Sequence, residues 1–415
     1  MGSVLGAGAT FFTQMILARN LGPADYGAFA AVLAAVNLVA PLAGFGIAGF
    51  WLKVFGKEGW GGLRWVRPSL TFSLVSTLGA TMLILGWAFL GPHNDASTQM
   101  FVTLSFCVAG QAVLEINSAR LQLEEQYARL AVWQFTPHAL RLASVGVFAL
   151  YFGSALSATA VATAYTLVAV VLVALGAVPL TRMVRGDFAL KGHGERPRGN
   201  VASDSAECGI AKVFREAWPF GLAGAFYFIY FQSDIVLLKY LAGDEEAGLY
   251  NVAFLIMAAL YLFPSVIYQK YLLPKIHRWA NHDLPMLRQV YIRGNRIMAV
   301  IGLAAMVAVM IVGPYAIPHL FGAAFAKSSG PLQILAFAIP VRFVATSVGA
   351  MLVTQDNMRK KVGYMGAVGV INVILNLILI PHYSALGAAI ATVASEAILL
   401  SIYWLSVRRF VFTKD

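Results

Sequence analysis

The sequence predicts an all-α polytopic membrane protein: about twelve transmembrane helices in two six-helix, pseudo-symmetric lobes around a central cavity. Three observations predict it. The 415 residues are 59% hydrophobic and 12% charged, about half the charge of an ordinary soluble chain, and the mean hydropathy is +0.74. Apolar runs of about the 20 residues needed to cross a bilayer recur along the whole length. Cationic residues fall almost entirely in alternate intervals between those runs. Such a chain lacks the polar residues to cover a soluble core, which excludes soluble enzymes, nucleic-acid binders and secreted domains. The net charge of +11 then belongs beside an anionic leaflet and calls for no nucleic acid.

In order, the spans are expected near residues 3–21, 28–52, 68–90, 98–119, 130–152 and 156–180, then 217–241, 247–273, 291–313, 331–354, 362–381 and 384–407. Runs of this length satisfy their own backbone hydrogen bonds in lipid as helices. The expected organisation is an N-terminal lobe over 1–180, a cytoplasmic linker over 181–216, a C-terminal lobe over 217–407 and a cytoplasmic tail over 408–415. With the N-terminus inside, 25 of the 30 Lys and Arg lie in inside intervals. Lys239 and Lys327 fall outside, and Arg19, Arg141 and Arg342 lie within spans. This asymmetry predicts cytoplasmic termini. The outer loops are short, and the linker is polar and basic. Residues 1–20 lack a basic n-region, so no cleavable signal is expected. Cys107 and Cys208 are far apart and predict neither a disulfide nor a metal site.

The two halves begin alike. The first span ends Gln14-Met-Ile-Leu-Ala-Arg-Asn-Leu21, followed by Gly22-Pro-Ala-Asp-Tyr-Gly-Ala-Phe29; the seventh ends Asp234-Ile-Val-Leu-Leu-Lys-Tyr-Leu241, followed by Ala242-Gly-Asp-Glu-Glu-Ala-Gly-Leu-Tyr250. Leu17, Arg19 and Leu21 align with Leu237, Lys239 and Leu241. One inserted residue brings Gly27-x-Phe29 onto Gly248-x-Tyr250. Parallel repeats related by an axis along the membrane normal are a transporter plan.

The string from Ala18 to Phe29 resembles the first-hairpin signature of bacterial polysaccharide (oligosaccharide-lipid) flippases. These belong to the superfamily of multidrug and toxin extruders and lipid II flippases. Asp234 to Tyr250 looks like that family's seventh-span motif. The resemblance implies movement of an undecaprenyl-pyrophosphate-linked oligosaccharide from the cytoplasmic to the periplasmic leaflet of a bacterial inner membrane. It implies surface polysaccharide such as O-antigen, capsule or exopolysaccharide as the product, and polysaccharide polymerase machinery and membrane lipids as partners.

A charge at a helix centre costs about 2.5–3.5 kcal/mol on insertion scales, so each one needs a reason. Arg141 and Arg342 lie about eleven residues into spans five and ten, near the midplane. They suit a pyrophosphate, because guanidinium offers forked donors to phosphate oxygens; pairing with acids such as Glu396 is the alternative. His138, one turn before Arg141, extends that basic face or simply packs. Arg19 and Lys239 guide a phosphate near the outer surface or snorkel there. Asp234, Glu396 and Glu115 are the acids within spans, candidates for proton or sodium coupling or for helix-to-helix bonding. Glu115 is also placed to pair with Arg120. Pro41, Pro137, Pro264 and Pro340 are expected to bend their spans. The aromatic run 226–231 stacks on sugars or packs in the core or lipid belt.

No Walker loop, His-Glu-x-x-His or cysteine cluster is present, so neither enzyme chemistry nor a cofactor is expected. Two other readings stay open: a cation-coupled multidrug exporter of the same superfamily, and a membrane glycosyltransferase or polymerase. Two arginines against one glutamate near the midplane favour an anionic cargo over a drug cation.

Overall fold

The computed structural model describes residues 2–194, 209–353 and 358–412, and these form helices and turns with no strand. The middle of the expected linker, including Cys208, and Lys414 lie outside the described residues. Two compact units emerge: Met1–Gln14 with Val32–Phe228, and Met15–Ala31 with Ile229–Asp415.

α1 covers Gly2–Val39 but breaks at Gly22 (φ 74°, ψ 173°), just before Pro23. Glycine supplies the left-handed φ and proline restarts a helix without a donor, where the sequence predicts the first outer loop. The predicted second span, 28–52, is not one helix. A 3₁₀ turn at Ala40–Leu42 and left-handed Gly44, Phe45 and Gly46 separate α1 from α2, Ile47–Glu58. Pro41 and the two glycines weaken the helix there, and α2 gains a different burial. Its Phe50, Trp51 and Phe55 join Trp60, Trp65, Leu180 and Met183 in an aromatic-rich core.

α3 follows at Val66–Leu90, then α4 at Asp95–Leu104 and α5 at Cys107–Leu123. The Asn94 side chain accepts from Ser97 N and starts α4. α6 is Tyr127–Phe152 and α7 is Ala158–Val184, capped by Ser157. α8 covers Ile210–Leu241 and α9 Asp244–Ser265, which continues as a π-helical stretch over Val266–Leu272. α10 is Leu273–His282, α11 Leu284–Phe321, α12 Ser329–Ala336 and α13 Ala338–Met351. The α12–α13 pair bends by 46°. Pro340 has no N–H for the Ala336 carbonyl, and this interrupts the predicted tenth span. α14 covers Met358–Phe410 and breaks at Ser384 (φ 48°), at the predicted final outer loop.

Among the described residues, seven helical stretches are long and apolar enough to cross a membrane, or eight if the bent pair counts as one. Two of them, Val4–Leu90 and Lys360–Phe410, contain the breaks above. α6, which carries His138 and Arg141, is not among the seven. The chain is a multi-pass membrane protein.

The repeated motif has a packing reason. Gly27 and Gly248 abut in one unit: a Cβ on Gly27 would overlap the Asp244 carbonyl oxygen and a Cβ on Gly248 the Pro23 carbonyl oxygen. Only glycine permits this backbone approach. Phe29 and Tyr250, two residues on, are buried at 0% and 1% exposure, and Asn251 Nδ2 donates to Tyr26 Oη across the crossing at 2.8 Å. Gly27→Val or Gly248→Val is therefore expected to destabilise by at least about 2–3 kcal/mol. Gly8→Val, which meets nothing within 4 Å, is expected to change little. Thermal unfolding of the purified variants checks the difference.

Candidate functional site

The two arginines expected near the midplane occupy different environments. In the N-terminal unit, the Arg141 guanidinium lies over the Tyr165 ring, 4.6 Å from its centroid. Tyr165 is 2% exposed on α7. Arg141 Nε is buried with no hydrogen-bond partner, and no carboxylate among the described residues forms an ion pair with this arginine. A turn earlier on α6, His138 Nδ1 is 2.9 Å from Thr10 Oγ1. Gly6 allows α1 to pack close against that imidazole. Thr10 and Gly6 thus hold His138 in place, next to Arg141.

In the C-terminal unit, Arg342 of α13 donates to Glu396 of α14 at 3.0 and 3.4 Å. The side chains are 17% and 1% exposed. The rings of Phe231, Tyr261 and Tyr230 stand around the guanidinium at 4.9, 5.5 and 6.0 Å. Two residues of the 226–231 aromatic run therefore face this arginine. Tyr261 Oη is buried without a partner. Lys361 packs against α13, where a Cβ on Gly349 would stand 3.6 Å from Lys361 Cε. Lys361 counts as a loop residue in the sequence because it follows Arg359 and Lys360, which conceals it.

Asp234 of α8 is 4% exposed and forms no ion pair among the described residues. Its Oδ2 accepts from Tyr250 Oη and Thr392 Oγ1, each at 2.7 Å, and its Oδ1 accepts from Asn376 Nδ2 at 2.7 Å. Asn376 Nδ2 also reaches Asn372 Oδ1 at 3.1 Å, and Ser233 Oγ donates to that same oxygen at 3.2 Å. Asn376 Oδ1 is buried and unpartnered. The result is an oxygen-rich pocket around one carboxylate. Asn372 and Asn376, four apart in an apolar run, are the signal in the sequence that points to this face of α14.

The remaining sequence-predicted residues have local partners. Arg19 donates to the His319 carbonyl near the end of α11. Lys239 Nζ contacts Asp244 Oδ1 at 2.5 Å. Glu115 lies on the exposed face of α5 and accepts from Gln111 at 3.0 Å. The expected Glu115–Arg120 pairing is replaced by Arg120–Glu124 at 3.4 Å, an i,i+4 pair. Burial at the end of α5 raises the Glu124 carboxyl above its ordinary value, while Arg120 and Arg129 oppose the rise.

Residues 1–279 match the family described as polysaccharide biosynthesis protein. The chain belongs to this family. An uncharacterized membrane protein of Methanocaldococcus jannaschii is 23% identical over 333 residues, 78% of this chain and 73% of that protein. Probable flippase AglR of Haloferax volcanii is 29% identical over 167 residues, 39% of this chain and 34% of that one. Among solved structures, the lipid II flippase MurJ in an inward closed conformation matches at TM-score 0.73 and 12% identity, covering 98% of this chain and 86% of that one. An inward-facing multidrug resistance MATE family transporter of the MOP superfamily matches at 0.68 and 16%, covering 100% and 96%. These likenesses show the superfamily's fold.

Removing one member of a buried ion pair strands the other, at a cost of about 3–5 kcal/mol, whereas replacing both with apolar residues is often nearly neutral. Glu396→Gln is expected to destabilise by that amount. Arg342→Met combined with Glu396→Met is expected to recover most of it. Denaturant unfolding of the purified single and double variants tests the pair.

Proposed function

We propose that this family member is a flippase for an undecaprenyl-pyrophosphate-linked oligosaccharide repeat unit. It would carry the unit from the cytoplasmic to the periplasmic leaflet by alternating access, for surface polysaccharide synthesis. In this reading the chain is a transporter and not an enzyme. It sits in the bacterial inner membrane with both termini cytoplasmic, its lobes are 1–180 and 217–407, 181–216 links them and 408–415 is a tail. The observation that carries the reading is uncompensated positive charge in an apolar interior. Arg141 has no carboxylate partner among the described residues, while Arg342 is paired with Glu396. A diphosphate supplies the missing negative charge, and forked guanidinium donors fit its oxygens. Tyr165 and Tyr261 add aromatic faces beside those donors.

Ion coupling is assigned to Asp234. Glu396 is already neutralised by Arg342, and Glu115 lies at an exposed surface. Asp234 is buried without a cation, and a buried carboxylate calls for a compensating positive charge. A proton or sodium ion among the oxygens of Asp234, Asn372, Asn376 and Thr392 would provide it. Ion and substrate shift the conformational equilibrium only by binding its states unequally. A multidrug exporter is the second reading, supported by the fold shared with MATE transporters; Arg141, which forms no ion pair among the described residues, argues against a cationic cargo.

Depletion of the protein is expected to accumulate the finished prenyl-linked repeat unit, read by mass spectrometry, with loss of surface polymer. Wild type is expected to restore export, and Arg141→Ala with Arg342→Ala is not. An unchanged lipid pool would overturn the assignment, and incomplete repeats would point to an enzyme. Asp234→Asn is expected to abolish the dependence of transport on the pH or sodium gradient.

A further inference from the structure

A second basic site lies at the opposite end of the C-terminal unit's longest unbroken helix from His319. The first turns of α11 and the residues after α14 enclose a pocket of about 670 Å³, within the range that holds small ligands. Arg288, Arg293 and Arg296 supply its charge, and Ile292, Val411 and Phe412 supply apolar wall. The three arginines are exposed, and no carboxylate among the described residues forms an ion pair with them. The neighbouring acid, Asp283, is engaged in capping α11, accepting from Met286 N at 2.9 Å. Gln289, oriented to satisfy both groups, accepts from Arg293 at 3.0 Å.

The surface of α11 beyond the pocket decides the ligand class. Exposed Ile297, Val300, Leu303, Val307 and Ile311 continue from Arg293 and Arg296 at steps of three and four, so they form one apolar stripe leading away from the charge. On the other side, α10 buries Ile276 and Ala280 and exposes Arg278 and His282, as a helix lying in a membrane surface does. The charge therefore sits at headgroup level and the stripe at acyl-chain level. A free anion would use only the first.

We propose that this pocket binds the phosphate headgroup of an anionic phospholipid, with its acyl chains along the Ile297–Ile311 stripe. Under the topology proposed above, the lipid comes from the cytoplasmic leaflet. Its headgroup braces the start of α11 against the end of the chain, where the Tyr291 and Phe412 rings already meet at 5.2 Å. Basic pockets at such positions hold lipid phosphates through several arginines, each contributing roughly five-fold in affinity.

The test is native mass spectrometry of the full chain in detergent, titrated with phosphatidylglycerol, phosphatidylcholine, inorganic pyrophosphate or undecaprenyl diphosphate. Only the folded monomer peak is counted, so loss of folded protein does not mimic loss of binding. Phosphatidylglycerol is expected to bind in preference to phosphatidylcholine. Arg288→Ala, Arg293→Ala and Arg296→Ala together are expected to weaken it on the order of 100-fold. An equal-charge control, Lys57→Ala, Arg67→Ala and Arg182→Ala, is expected to leave it unchanged. Equal losses in both triple variants would overturn the pocket in favour of a diffuse field. Competition by inorganic pyrophosphate would overturn it in favour of a free-anion site. Displacement of phosphatidylglycerol by undecaprenyl diphosphate through these arginines would reassign the pocket to the substrate.

Discussion

A charged group in hydrocarbon must be matched by an opposite charge or by enough hydrogen bonds to replace water. This chain meets the requirement in three different ways. Glu396 is matched by Arg342 through two contacts. Asp234 is matched by neutral donors from Tyr250, Thr392 and Asn376. Arg141 has the face of Tyr165 and no carboxylate. The first arrangement is self-contained. The other two leave unbalanced charge inside the protein, negative where Asp234 is ionised and positive at Arg141, and those imbalances are where an ion and an anionic cargo would act.

The internal repeat shows how such a difference arises within one plan. Gly27 and Gly248 preserve a backbone crossing that tolerates no side chain, and both copies place a positive-φ glycine after the first helical arm, at Gly22 and Gly243. The chemistry around that scaffold has diverged. Asp234 stands where the first copy has Gln14, and Tyr250 stands where it has Phe29. The second copy therefore forms a hydroxyl-to-carboxylate bond at 2.7 Å, whereas buried Gln14 leaves its Oε1 without a partner. Architecture is shared between the copies, and the side chains around it differ.

Much of the fold was legible because lipid imposes long apolar runs, and the loops after Leu21 and Pro381 fall where glycine, proline or a short polar stretch interrupts them. The break around Gly44 to Gly46 was not, because glycines are tolerated inside membrane helices and only the burial of Phe50, Trp51 and Phe55 explains the turn. At the sites, Arg342 and Glu396 could be paired from similar depth alone. The partners of Asp234 are 16 to 158 residues away, so their convergence follows from tertiary packing; only the Asn372–Asn376 spacing hinted at it.

Unbalanced interior positive charge is proposed to select an anionic lipid-linked cargo. The most direct test is the affinity of the purified protein for undecaprenyl diphosphate, undecaprenyl monophosphate and the uncharged alcohol. Affinity is expected to fall in that order, and Arg141→Ala is expected to lower diphosphate binding by at least about ten-fold, in keeping with a lost charge-assisted hydrogen bond. Equal affinity for all three lipids, or tighter binding of an organic cation, would contradict it.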